Sequence, residues 1–71
     1  MLVECRSEHE YAERPIALTW EGQRRPISQI LSRWRTPGGK HFRVRTAEGE
    51  IFELTYVEVA DEWQIKPLQG G

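Results

Sequence analysis

Residues 42–46 and 52–56 alternate apolar and polar side chains on either side of Ala47-Glu48-Gly49. Strict period two marks a half-buried strand. A three-residue loop with Gly49 in the left-handed position is a standard hairpin connection. It sets Val44 opposite Phe52 and Phe42 opposite Leu54, so the apolar faces agree. On the other face it sets Arg43 opposite Glu53. A slip of one residue would turn every side chain to the wrong face, so a register that satisfies both faces is strongly specified. A chain built around this hairpin is committed to antiparallel sheet.

The flanking segments extend the pattern. Ile16, Leu18 and Trp20 alternate with Ala17, Thr19 and Glu21, and Glu21-Gly22-Gln23 is a turn. Residues 24–35 satisfy two templates. Ile27, Ile30, Leu31 and Trp34 follow the spacing of a helix face, with Pro26 in a first turn. A strand with one bulge instead puts Ile27, Ile30, Ser32 and Trp34 on the inner face. Strands on both sides favour the bulged strand. Thr36-Pro37-Gly38-Gly39 is a loop. At Tyr56-Val57 the apolar set changes phase to Val57 and Val59, which predicts a bulge or bend. Asp61-Glu62 turns the chain, Trp63 and Ile65 supply a last strand, and Pro67 ends it or places it at an edge.

These runs predict an all-β, five-stranded, antiparallel and partly open SH3-like barrel over residues 14–68. A mobile acidic arm, residues 1–13, precedes it, and a flexible tail, residues 69–71, comes after it. The phases predict a core of Ile16, Leu18, Trp20, Ile30, Phe42, Val44, Phe52, Leu54 and Ile65.

Seventy-one residues make one domain. A chain this short buries only roughly 60% of the surface its unfolded form exposes. One small core leaves little room for a pocket of about 300 Å³, the usual lower size of a small-molecule site. That favours a surface-acting module over an enzyme, with no cofactor. The single Cys5 has no internal disulfide partner, which suits a reducing cytoplasm. No run of 18 apolar residues exists to span a membrane, and the N-terminus lacks a basic-then-apolar signal pattern.

The net charge of −1 hides a segregation. Residues 1–13 carry four glutamates against Arg6, and residues 46–71 carry six acidic residues against Lys66. Between them, residues 14–45 carry eight basic residues against Glu21 alone. A chain polarised in this way folds either with one basic face or with its acidic thirds neutralising the basic third. The candidate anion-binding set is Arg33, Trp34, Arg35, His41, Arg43 and Arg45. Arginines hold phosphates bidentately, and an exposed indole lets an unpaired base stack. The competing reading places Trp34 in the core and pairs Arg43 with Glu53. Trp20, Trp34 and Trp63 are many for so small a chain; at least two belong to the core, and an exposed third marks a partner surface.

Two smaller signals compete. Cys5 and His9 stand at i, i+4, but a tight metal site needs three or four ligands, so no metal is expected. Gly70-Gly71 resembles the di-glycine tail of ubiquitin-like modifiers and sulfur carriers, whose C-terminal carboxylate is activated.

From Arg14 to Leu68 the chain also resembles a family of short bacterial proteins of unknown function. The matching pieces are Arg14-Pro15-Ile16, Trp20, Gly22, residues 30–35, residues 42–46, Gly49, residues 51–54 and Trp63. Members that accompany or extend translesion DNA polymerases give the resemblance a loose link to DNA repair, and it supplies no catalytic residues. The family's longer, aromatic-rich insert is replaced here by Thr36-Pro37-Gly38-Gly39.

The functional expectation is a non-enzymatic binding module acting on single-stranded nucleic acid or on a DNA-handling protein. The alternatives are an adaptor whose charges are internally paired and a ubiquitin-like carrier. Val57, Val59 and unpaired strand edges lead to the expectation of a homodimer joined through edge strands.

Overall fold

A computed structural model of the chain describes residues 2–7 and 13–69. It is all β. Six strands run in the order β1 (Val3–Ser7), β2 (Glu13–Trp20), β3 (Gln23–Thr36), β4 (Gly39–Thr46), β5 (Ile51–Val57) and β6 (Glu62–Gln69). Each pairs antiparallel with its neighbours in sequence, in a single sheet of order β1-β2-β3-β4-β5-β6. The sheet curls into a half-barrel. No helix among the described residues is long and apolar enough to cross a membrane.

The β4–β5 hairpin has the register its two faces dictate. Phe42 faces Leu54, Val44 faces Phe52 and Arg43 faces Glu53. Gly49 takes a positive φ of 94° in the connecting loop, where its amide donates to the Thr46 carbonyl. Curling brings Val3 and Leu18 onto Phe42, Val44, Phe52 and Leu54 to form one apolar cluster. Trp20, Ile27, Ile30, Trp63 and Ile65 close over its rim, and Trp20 meets Phe52 edge-on at 5.8 Å between centroids.

The strand count is six, not five, because the N-terminal segment is not all arm. Val3 pairs with Leu18 and is fully buried. Val3 and Cys5 alternate with Glu4 and Arg6, but a strand with only two apolar positions gives almost no periodic signal. The remainder of the expected arm, residues 8–12, lies outside the described residues, as do Gly70 and Gly71. Ile16 is not a core residue. The register slips between Glu4 and Cys5, so Ile16 has no partner on β1 while Pro15 and Ala17 are buried.

Residues 24–35 form a strand, as expected, but with two irregularities instead of one. The register with β4 shifts at Ser28 and again at Leu31. Ser28 uses its hydroxyl at the first shift, within 3.2 Å of the carbonyls of both Arg45 and Thr46. Each extra residue reverses the phase of the residues beyond it. Two reversals leave Ile27 and Ile30 inside and turn Ser32 and Trp34 outward.

The expected bend at Tyr56-Val57 is absent. Strand β5 ends at Val57, and the chain turns through residues 58–61. Val59 sits in that turn, 97% exposed. Asp61, at φ 52°, closes the turn and accepts a hydrogen bond from the Tyr56 hydroxyl. Pro67 falls on β6, an edge strand among the described residues, where proline is tolerated.

Candidate functional site

Directly opposed residues of an antiparallel pair share a face, so the register sorts the candidate residues. Opposite partners build rows across β3, β4, β5 and β6. On the inner side run Arg33–Phe42–Leu54–Ile65 and Arg35–Lys40–Tyr56–Trp63. On the outer side run Trp34–His41–Thr55–Gln64 and Ser32–Arg43–Glu53–Lys66, with Gln29–Arg45–Ile51 beyond them. The six residues picked from sequence are therefore divided. Arg33 and Arg35 stand on the inner side, whereas Trp34, His41, Arg43 and Arg45 stand on the outer side.

The outer group is a connected cluster. Trp34 stacks on His41 with the rings 7° from parallel and their centroids 5.2 Å apart. The Arg43 guanidinium lies over the indole, 5.8 Å from its centroid, and also pairs with Glu53 at 3.5 Å. Each His41 ring nitrogen shares a hydrogen bond with a threonine hydroxyl, Nε2 with Thr36 at 2.8 Å and Nδ1 with Thr55 at 3.0 Å. Arg45 donates to the Gln29 side-chain amide at 3.0 Å. Trp34 is 37% exposed, so it is the surface tryptophan. Trp20 and Trp63 pack on the core.

The inner group sits beyond the apolar cluster. Tyr56 and Trp63 pack at 5.2 Å between centroids, and Trp63 touches Phe42 at 6.0 Å. Arg35 reaches the turn and pairs with Glu58 at 3.3 Å. Arg33 and Lys40 have no carboxylate partner among the described residues. Lys40, Tyr56 and Trp63 were not in the sequence-derived set. Carrying the hairpin register back through the loop at residues 37–38 would have found them, since it places Arg35 against Lys40.

Arg24 and Arg25 are neutralised nearby. Arg24 donates to both oxygens of Glu4, at 2.8 and 3.1 Å. That hydrogen bond holds the Glu4 carboxyl below its ordinary range and raises Arg24. Arg25 is largely buried, donates to Glu50 and lies 3.9 Å from Glu21. Its hydrogen bond lowers Glu50 and raises Arg25 in the same way. The Arg25 Nε is buried without a partner among the described residues. A cleft of about 260 Å³ opens beside it, lined by Arg24, Arg25, Pro26, Thr46 and Glu48 among others. Thr46, though buried, is satisfied, since its hydroxyl donates to the Glu50 carboxylate and accepts from the Glu50 amide.

Cys5 lies on a strand, so the helical spacing that would align it with His9 does not apply, and His9 is outside the described residues. No cluster of three metal-ligating side chains forms among the described residues. No family model, curated protein or solved structure matches the chain.

Proposed function

We propose that this protein is a non-enzymatic module that binds a partner protein. The observation that carries the reading is the fate of the arginines. Arg24, Arg25, Arg35 and Arg43 each have a carboxylate, and Arg33 and Arg45 stand on opposite faces of the sheet. A mosaic of paired charges around an exposed indole suits a protein surface, where tryptophan and arginine anchor contacts. A strand of nucleic acid needs a continuous cationic track. His41 has both ring nitrogens committed to threonines, which supports a positioning rather than a catalytic role.

The half-barrel, with one long strand shared by two parts of the sheet, is an open form of the SH3-like architecture in this reading. The family resemblance would place the partner among cytoplasmic bacterial proteins that handle DNA. Nucleic acid itself is the second reading. It is favoured by Arg33 and Lys40, the inner-side cations without a carboxylate among the described residues, and by the Tyr56–Trp63 pair in the row of Lys40.

Two measurements separate the readings. Affinity capture on the immobilised chain from nuclease-treated lysate, with quantitative mass spectrometry, should retain a specific protein. Fluorescence anisotropy of a labelled single strand should show no saturable binding at about 150 mM salt, where a few phosphate contacts contribute little. Salt-dependent strand binding with no retained protein would reverse the assignment.

A further inference from the structure

Strand β3 is long enough to belong to both halves of the sheet. Its first part, residues 23–26, pairs with β2. Its second part, residues 27–36, pairs with β4. On the side away from β4, no strand among the described residues pairs with that second part. Beyond the irregularity at Leu31, residues 32–36 run in unbroken register, and all five are exposed. In an antiparallel ladder, alternate residues direct their N–H and C=O groups away from the existing neighbour. Such a row is a template for another strand. This edge lacks the usual defences of proline or an interior bulge, since Pro37 stands just past its end.

We propose that residues 32–36 of β3 accept an extended acidic segment of a partner protein as a seventh strand. The inference rests on the partner-protein reading above and names the surface and the chemistry of its ligand. Side chains of an added strand would extend the rows already described. The inner rows begin with Arg33 and Arg35, so the segment should place carboxylates opposite these two positions. The outer row between them begins with Trp34, so the residue between the two carboxylates should be apolar. The recognised pattern is therefore acidic, apolar, acidic at successive positions, because side-chain direction repeats every two residues. Arg33 has no competing carboxylate among the described residues. The Arg35–Glu58 pair is exposed on both sides and is readily exchanged.

The same charges oppose a second copy of this chain. A two-fold pairing of two β3 edges across residues 32–36 sets Arg33 against Arg33 or against Arg35. Like charges directly opposite are destabilising. The arginines thus discourage self-pairing and select an acidic strand.

The test is a nuclear magnetic resonance titration of the full chain with an acetylated eight-residue peptide that alternates glutamate and valine. Amide shifts and slowed hydrogen exchange should concentrate in residues 32–36. A version with one central valine replaced by proline keeps the charge and breaks the ladder, and it should lose binding. Arg33→Glu with Arg35→Glu should weaken the glutamate peptide about tenfold or more, as expected for two lost exposed pairs. The same variant should gain affinity for a matching peptide that alternates lysine and valine, a rescue that a misfolded variant would not show. Absence of binding at millimolar peptide, shifts confined to another face, indifference to proline, or a dimer joined through β3 would each overturn the proposal. A protein captured from lysate but mapped to another surface leaves the partner-protein reading standing while this one fails.

Discussion

Trp34 lies flat on His41, 7° from parallel, on the outer side of the sheet. The indole bridges β3 to β4 across the surface and reaches no core residue. Trp34→Ala should therefore leave the domain folded. The expected loss is about 0.5–1.5 kcal/mol, the worth of an aromatic pair beyond its area. Urea denaturation followed by far-ultraviolet circular dichroism measures it, and an unfolded variant would show that the indole carries the core.

Phe52 sits at the centre of the apolar cluster and takes the edge of Trp20. Phe52→Ala should cost about 3–5 kcal/mol by loss of buried area and creation of a cavity. A core of this size holds little more in reserve. The variant should be largely unfolded at 37 °C by differential scanning calorimetry, and a near-native melting temperature would contradict the packing.

The first strand is tested through Val3, which is fully buried. Val3→Ala removes two methyl groups from the cluster and should cost about 2 kcal/mol. Truncation of residues 1–7 should unfold the domain, since Leu18 would lose its cover. If chemical denaturation finds the truncated chain as stable as the whole, β1 does not contribute to the core.

Neighbouring glycines should behave in opposite ways. A Cβ on Gly39 would stand 2.0 Å from the Tyr56 carbonyl oxygen, inside the β4–β5 ladder. Backbone cannot yield as a side chain does, so Gly39→Ala should cost about 3 kcal/mol or more, at the upper end of overpacking. A Cβ on Gly38 meets nothing closer than the Thr36 hydroxyl at 3.9 Å. Gly38→Ala should be neutral, or stabilising by about 0.4–1 kcal/mol through the unfolded chain. Thermal melts of the two variants side by side provide the comparison.

The Arg25–Glu50 pair predicts a pH dependence. The Arg25 hydrogen bond holds the Glu50 carboxyl below its ordinary value of 4.5. The unfolded chain then binds the proton more readily than the folded one. The contribution is fully present above 4.5 and is lost as the pH falls through the lower folded value. Stability should rise with pH across that window. Glu50→Gln should flatten the slope there and lower stability at neutral pH, because Arg25 is left largely buried without its main carboxylate. An unchanged slope in urea titrations at a series of pH values would place the pair outside the stability balance.

The hairpin of β4 and β5 could be read to the residue because two independent patterns constrained it, apolar pairing on one face and Arg43 against Glu53 on the other. Strand β3 could be read only as a strand. Its two register shifts are set by how Ser28 bonds to β4 and by where the sheet must curl, and both depend on a partner distant in sequence. That is why a reading with one bulge turns Trp34 inward, whereas the two shifts turn it outward. The same alternation divides the candidate residues, since adjacent residues of a strand point to opposite faces: Arg33 and Arg35 part from Trp34, His41, Arg43 and Arg45.

Alternation, turn residues and length by themselves determined an all-β domain with a small core and the pairing of its central hairpin. They act over a few residues, and a local pattern suffices to express them. Only the tertiary structure decided that Val3 belongs to the core, that Arg33 and Arg35 part from Arg43 and Arg45, and that half of β3 has one edge on which no strand among the described residues pairs. Each of these depends on which distant strand arrives alongside, and curling of the whole sheet settles that.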